Sequence, residues 1–238
     1  MIPTPDLSHL RASDYEHVYE PAEDTFILLD ALEQDAQELC DLKPRIAFEV
    51  GSGSGCVSAF LSKITGPSAV LYLCTDINPR ACVCTRATGA QNSVALEVAT
   101  ASLAAPFLDR LEHSVDVILF NPPYVPTYAE EALAAQADRD IGGSWAGGQH
   151  GMQVTETFFP QVDVGLFLAS ARCRSIEMMF QRLLSSSGRF YLVAVADNNI
   201  AAIQEEMSTR YGMHSQIVLQ RRAGREHLFV VRFTRTSG

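Results

Sequence analysis

IAFEVGSGSG, residues 46–55, decides the fold. Ile46–Val50 has the apolar, β-branched make-up of a buried strand, and Gly51–Gly55 can only be a tight turn. Residues 56–63 then read as a helix, so the unit is strand, glycine turn, helix. Working outward, the same rhythm repeats. Strands are predicted at 70–75, 95–100, 115–120 and 188–195, with a helix opened by Asn78 as cap and Pro79 at the first helical position. A helix is expected over 22–39, with Phe26, Leu29 and Leu32 on one face and Glu23 and Asp24 favourably placed at its positive end. After a helix at 199–211, strands at 216–220 and 226–233 are close enough to pair as a hairpin. Residues 1–19 read as an irregular lead-in. Strands alternating with helices predict an α/β fold: a mostly parallel sheet with right-handed crossovers, helices on both faces, and an antiparallel strand brought in by the hairpin.

Composition narrows the function. The chain has 238 residues, 47% hydrophobic and 19% charged, which suits one domain with a full core. Its net charge of -10 is a poor match for a polyanion and argues against nucleic acid as a partner. The single basic cluster, Gln220–Arg225, reads as a solvated turn. The start lacks a basic-then-apolar signal pattern, and no apolar run reaches the ~18 residues of a membrane helix, so a soluble intracellular protein, cytoplasmic and with the nucleus also open, is expected. The six cysteines (Cys40, Cys56, Cys74, Cys82, Cys84, Cys173) match neither a disulfide framework nor a zinc site and read as small buried hydrophobes. The scattered histidines have no ligand spacing, and no bound metal is expected.

The glycine turn carries chemistry. Glycines let the backbone approach a ligand that lies beyond the carboxyl ends of parallel strands, and Asp76, ending the second strand, can accept both hydroxyls of a ribose. Dinucleotide sites favour G-x-G-x-x-G, whereas this chain has G-x-G-x-G with Glu49 two residues ahead of Gly51. A carboxylate there would repel a diphosphate and welcome a cationic, phosphate-free cofactor. S-adenosyl-L-methionine has a sulfonium, an ammonium and no phosphate.

The fourth strand ends in FNPPYVP, residues 120–126. Its prolines fix φ and hold the preceding residue extended, so the loop is stiff. Asn121 offers its side-chain oxygen and Pro122 its backbone carbonyl, two acceptors for a planar NH2 group. Holding both N–H bonds lets a conjugated nitrogen pyramidalise toward a sulfonium methyl, while Tyr124 packs against the plane of the substrate group. Such a site works by positioning and preorganised electrostatics without a strong base.

Glu49–Gly55, Asp76 and Asn121-Pro122-Pro123-Tyr124 together resemble a class I S-adenosylmethionine-dependent methyltransferase. Val18–Phe26 (VYEPAEDTF) and Trp145-Ala146-Gly147-Gly148 narrow the resemblance to the eukaryotic HemK-type glutamine methyltransferases, over roughly residues 15–160 and 186–235. The resemblance implies a Rossmann-like, seven-stranded sheet in one domain spanning 20–238. It implies N5-methylation of the glutamine in the Gly-Gly-Gln loop of a class-1 translation release factor, and a heterodimer with a small zinc-binding activator subunit. Some relatives methylate a histone lysine or trivalent arsenicals, so these stay open as substrates. Carried over, Thr25, Glu49, Gly51, Gly53, Asp76, Ser102, Leu103 and Asn121 are the cofactor positions, and Asn121, Pro122, Pro123 and Tyr124 the substrate positions.

Two departures stand out. Ser102-Leu103 replaces the family's Asp-Leu after the third strand, exchanging a charged acceptor for a hydroxyl at an expected loss of about 1 kcal/mol in cofactor binding. A stretch at about 162–182, VDVGLFLASARCRSIEMMFQR, stands where the family has a short link; an added helix and a retained intron are both open. Gly147-Gly148-Gln149 spells the substrate motif itself and reads as coincidence. The third strand, Val94–Ala99, is predicted at the sheet edge, and with neither Pro nor Lys to block pairing it invites another chain. The competing readings are an adenine-N6 methyltransferase on DNA or RNA, which must flip its base and hold a polyanion, and a non-enzymatic cofactor-binding scaffold.

Overall fold

The computed structural model describes residues 1–125, 127–162 and 183–235. Strands β1 (Ile46–Val50), β2 (Leu71–Asp76), β3 (Leu96–Thr100), β4 (Val115–Phe120), β5 (Leu184–Val195), β6 (Met213–Ala223) and β7 (Glu226–Arg235) form one sheet in the order β3-β2-β1-β4-β5-β7-β6. β1 to β5 are mutually parallel, and β7 runs antiparallel to both β5 and β6. The predicted hairpin thus inserts its second strand and leaves its first on the edge. β4 is buried at all six positions because helices cover both faces.

The helices are α1 (Ala12–Tyr15), α2 (Glu23–Gln34), α3 (Ala36–Leu42), α4 (Cys56–Thr65), α5 (Pro79–Gln91), α6 (Ala129–Asp138), α7 (Gln153–Val162) and α8 (Ile200–Tyr211). One core layer joins Ile27, Leu28 and Leu32 of α2 to Phe60 and Leu61 of α4 and Tyr191 and Val193 of β5. The other is aromatic, with Phe120, Phe158, Phe190 and Phe233 in successive ring contacts across α7 and the sheet. β1 has β2 on one side and β4 on the other, so the strand order reverses there and a crevice opens beyond the carboxyl ends of β1 and β4.

The structure corrects several expectations. The single helix at 22–39 is two, broken at Asp35, whose side chain turns from its own backbone to the sheet. Asp35 Oδ2 accepts from the Tyr191 hydroxyl at 2.8 Å and from Arg232 Nη1 at 2.7 Å. Phe26 is 37% exposed, because Ile27, Leu28 and Ala31 take the buried face beside Leu29 and Leu32. Cys56, Cys74, Cys82 and Cys84 are buried as expected, but Cys40 is exposed; Cys173 lies outside the described residues. So does the stretch read as an insertion, from residue 163 to 182. The lead-in carries the one-turn helix α1 and buries Val18 against Ala81 and Cys84. β5 begins at Leu184 rather than 188, since a bulge opposite Asp116 lets Ser185 donate to its carboxylate at 2.8 Å. Helices α6 and α7 were not anticipated; in α7, Thr155, Phe158, Phe159 and Val162 face inward, and Pro160 inside the helix masks that periodicity. The basic cluster is only partly a turn: residues 220–223 end β6 and residues 224 and 225 turn, while Arg221 makes an exposed ion pair with Asp30 of α2. No helix among the described residues is long and apolar enough to cross a membrane.

Asp35 and Arg232 are only 10% and 11% exposed; without Asp35, Arg232 keeps Glu38 and Gln216, each at 2.7 Å, but the buried Tyr191 hydroxyl is left without its acceptor. Asp35→Ala is expected to lose about 2 kcal/mol of stability by urea denaturation. A loss below about 1 kcal/mol would reduce the pair to an ordinary surface contact.

Candidate active site

The glycine turn is tied to β2: Gly51 N and Ser52 N both donate to the Thr75 carbonyl, at 2.8 and 3.1 Å. Gly51 and Gly53 have φ of +69° and +52°, line the crevice, and would set a Cβ in open space; the strain at positive φ and the ligand's share of that space both favour glycine. Gly55 has another task, since a Cβ there would stand 2.8 Å from Thr85 Cα and push α4 off α5. Asp76 receives Gly53 N and Asn78 N, each at 2.9 Å, which fixes its carboxyl at the crevice wall while burial raises its pKa.

Glu49 is 5% exposed and accepts from Ser58 N at 3.0 Å and from the Ser58 hydroxyl. It therefore satisfies an orphan donor in the first turn of α4 while lining the crevice. Burial pushes its carboxyl up to about 8 from an ordinary 4.5, against the Ser58 hydrogen bonds that pull it down.

At the end of β4, Asn121 Nδ2 donates to Asp24 Oδ2 at 2.9 Å, and Asn121 Oδ1 is buried with no partner. A buried acceptor left unmet costs about 1–3 kcal/mol, so the site keeps an oxygen ready for a donor brought by a ligand. Asp24, itself 4% exposed, receives the Tyr19 hydroxyl at 3.1 Å and Thr25 N at 2.7 Å. Thr25, Glu49, Gly51, Gly53, Asp76, Ser102, Leu103, Asn121 and Pro123 meet at one cavity. Pro122 and Tyr124 do not reach its wall: Pro122 is buried behind it, and Tyr124 stands half-buried with its hydroxyl 3.5 Å from Glu226. Burial first, then the charges of Asp24 and Glu226, raise the Tyr124 pKa and keep the hydroxyl protonated.

Sequence reasoning placed Asp24 at a helix start and missed its bond to Asn121, which joins residues far apart in the chain. It also missed Gln136 and the turn Ile141–Ser144, which close one side of the cavity after α6, and the 3.4 Å contact of His17 with Asp140 there.

The residues behind the elbow explain the Gly147-Gly148-Gln149 match. Val125 N donates to the Trp145 carbonyl at 3.0 Å and Gly147 N to the Val125 carbonyl at 2.9 Å. A Cβ on Gly147 would stand 2.5 Å from the Pro123 carbonyl, and one on Gly148 2.2 Å from Gln153 Oε1. Gly147 is where backbone must pack on backbone, whereas Gly148, at a φ of +71°, leaves room for the Gln153 side chain.

A family model, the methyltransferase small domain, matches residues 23–138. Methyltransferase HEMK2 of Mus musculus is 43% identical over 235 residues, covering 99% of this chain and 98% of its own. The chain belongs to the HemK-type glutamine methyltransferases. The eRF1 methyltransferase catalytic subunit mtq2 of Schizosaccharomyces pombe is 38% identical, covering 99% of this chain and 96% of its own. Among solved structures, a chain of the E. cuniculi Mtq2–Trm112 complex superposes with a TM-score of 0.62 at 25% identity, over 92% of this chain and 99% of that one. For this methyltransferase, the site fits the cofactor read from the sequence. It combines a glycine cradle open to a ligand, a fixed carboxyl at the end of β2 for ribose hydroxyls, and a buried carboxyl at the end of β1 that a cation would ionise.

Two outcomes follow from this geometry. With a folded-state pKa near 8, Glu49 contributes stability that is complete below about 4.5 and lost as pH rises through about 8. A cation beside it favours the carboxylate, so S-adenosylmethionine affinity should rise with pH up to about 8, with proton release seen by calorimetry in two buffers. Glu49→Gln should remove that component, and equal pH profiles for the two proteins would contradict the assignment. Separately, Gly147→Ala must displace the Pro123 carbonyl; methyl transfer should fall about 100-fold, with cofactor affinity by calorimetry little changed.

Proposed function

We propose that this methyltransferase transfers a methyl group from S-adenosyl-L-methionine to the side-chain amide nitrogen of the glutamine in the Gly-Gly-Gln loop of a class-1 translation release factor. The single observation that carries the reading is the buried, unpartnered Oδ1 of Asn121, held open by Asp24 at the mouth of the cofactor crevice. An amide NH2 offers two donors, and a fixed acceptor beside the crevice is what it requires. The near-complete overlap with the eRF1 methyltransferase catalytic subunit of S. pombe supports the release factor as substrate.

The cofactor, when bound, supplies an electrophilic methyl on sulfonium. Gly51 and Gly53 would let it approach the backbone, Asp76 would take ribose hydroxyls, and Ser102, Leu103, Thr25 and Glu49 of the same cavity would hold the rest of it. Asn121 Oδ1 accepts an N–H of the substrate amide, which draws the nitrogen lone pair out of conjugation, while Pro122, behind the wall, stiffens the elbow that carries Asn121. The elbow is braced from behind by Gly147 and by Asn198, whose Nδ2 donates to the Tyr124 carbonyl at 3.4 Å. Asp24 is occupied by Asn121, Tyr19 and Thr25, so it is no free base; the nitrogen loses its proton to water once the methyl has arrived.

The partner reading is a small zinc-binding activator subunit that pairs with β3. β3 sits at the sheet edge, hydrogen-bonded to β2 alone, and the E. cuniculi structure is a complex of Mtq2 with Trm112. DNA or RNA as substrate is disfavoured by the acidic chain and the pairing of Arg221 with Asp30. A scaffold without turnover is disfavoured by the intact Asn121 and Asp76 geometry.

The test is methyl transfer to a release factor, with and without the activator, read by mass spectrometry of the modified residue. Asn121→Ala should lose roughly 10²–10³ in turnover while cofactor affinity changes far less. Methyl found on another residue type, or full turnover in that variant, would overturn the assignment.

A further inference from the structure

We propose that Asp24 is the positioning residue of the transfer site: its buried carboxylate locks the Asn121 side chain in the one orientation that turns the amide oxygen, and not the NH2, toward the substrate nitrogen. This rests on the reading of Asn121 as acceptor for a substrate amide.

A primary amide has an acceptor end and a donor end of nearly the same size, and a half-turn about the last side-chain bond exchanges them. With the donor end facing the substrate, two NH2 groups would confront each other and the lone pair would stay conjugated. Nothing within Asn121 prevents that turn. Asp24 does, because an ionised carboxylate only accepts: Nδ2 sits 2.9 Å from Asp24 Oδ2, and the flipped amide would set oxygen against oxygen. Asp24 is itself held still. Its Oδ1 takes Thr25 N at 2.7 Å and the Tyr19 hydroxyl at 3.1 Å, and it stands in the first turn of α2, where the helix favours a negative charge. The contact joins residues 97 apart, so no local backbone preference accounts for it. The opposite end of the amide is the unpartnered Oδ1.

Asp24→Asn keeps the size and the ability to accept from Thr25 and Tyr19, but puts an NH2 where Oδ2 stood, so Asn121 turns its oxygen inward and its own NH2 toward the substrate. In the full chain with its activator, kcat should fall about 10- to 100-fold, with KM for the release factor, cofactor affinity and thermal midpoint close to wild type. In an Asn121→Ala background the same substitution should cost less than about twofold, because the group it orients is gone. Asn121→Asp alone sets two carboxylates face to face; adding Asp24→Asn restores a donor–acceptor contact with an oxygen toward the substrate, and should recover at least about tenfold. Should Asp24→Asn fail to fold, this reciprocal pair carries the test. Independently of any protein substrate, the Asn121 side-chain NH2 should exchange slowly by NMR in the wild-type chain and quickly in Asp24→Asn. Undiminished kcat in Asp24→Asn, additive losses in the Asn121→Ala background, or fast exchange of that NH2 in the wild type would each overturn the proposal. If the release factor is not methylated by the wild-type complex, the proposed function fails, and slow or fast exchange still decides for or against the Asp24 lock.

Discussion

The reversal of strand order at β1 is the constraint on which the rest of this molecule depends. Right-handed crossovers take the chain from β1 outward to β2 and β3 on one side; the connection to β4 returns it to the other side of β1. Helices leaving the ends of β1 and β4 must then diverge, and the space between them cannot be filled by the sheet's own side chains. The glycine turn after β1, the acid ending β2 and the elbow after β4 all face that space. None of them would meet in a sheet of simple sequential order.

Inside the crevice the electrostatics follow one plan. Glu49, Asp24 and Asp76 are carboxyls set into the fold by donors: Ser58 for Glu49, Thr25 and Asn121 for Asp24, Gly53 and Asn78 for Asp76. Backbone N–H groups at helix starts and turns, which must find partners anyway, hold these groups without fixing a strong base beside the substrate. The result is a wall that suits a cation and a neutral amide. Reactivity then rests on where acceptors point, and the proline elbow with its glycine backing governs that direction.

Much of this was legible. IAFEVGSGSG announced a strand and a ligand turn because five consecutive positions alternating Gly and Ser admit little else. Asn78-Pro79 announced a helix start, and Asn78 does accept from Arg80 N at 2.9 Å. Asn121 and Asp76 carried chemistry visible from residue type and place in the strand order, whereas Ser102 was reached only through the family resemblance. Less legible were contacts between residues distant in the chain. Asp35 reads as a mid-helix acid until Tyr191 and Arg232 draw it to the sheet, and Phe26 reads as core until Ile27 and Leu28 occupy the inner face. Tyr124 and Pro122 were placed at the cavity by their neighbours in sequence, whereas successive residues of an extended segment face opposite ways.

Sequence alone determined which chemistry this protein has: the strand–turn–helix rhythm, the acid after β2, the amide and prolines after β4, and a charge unsuited to polyanions. These are local patterns, and local patterns are set by backbone sterics and hydropathy within a few residues. Tertiary structure alone decided which end of Asn121 is free, which glycines serve the ligand and which the packing, and that Asp24 belongs to the site. Each of those answers requires knowing what lies a hydrogen bond away across the fold, and that distance is fixed only when the two core layers close on the sheet.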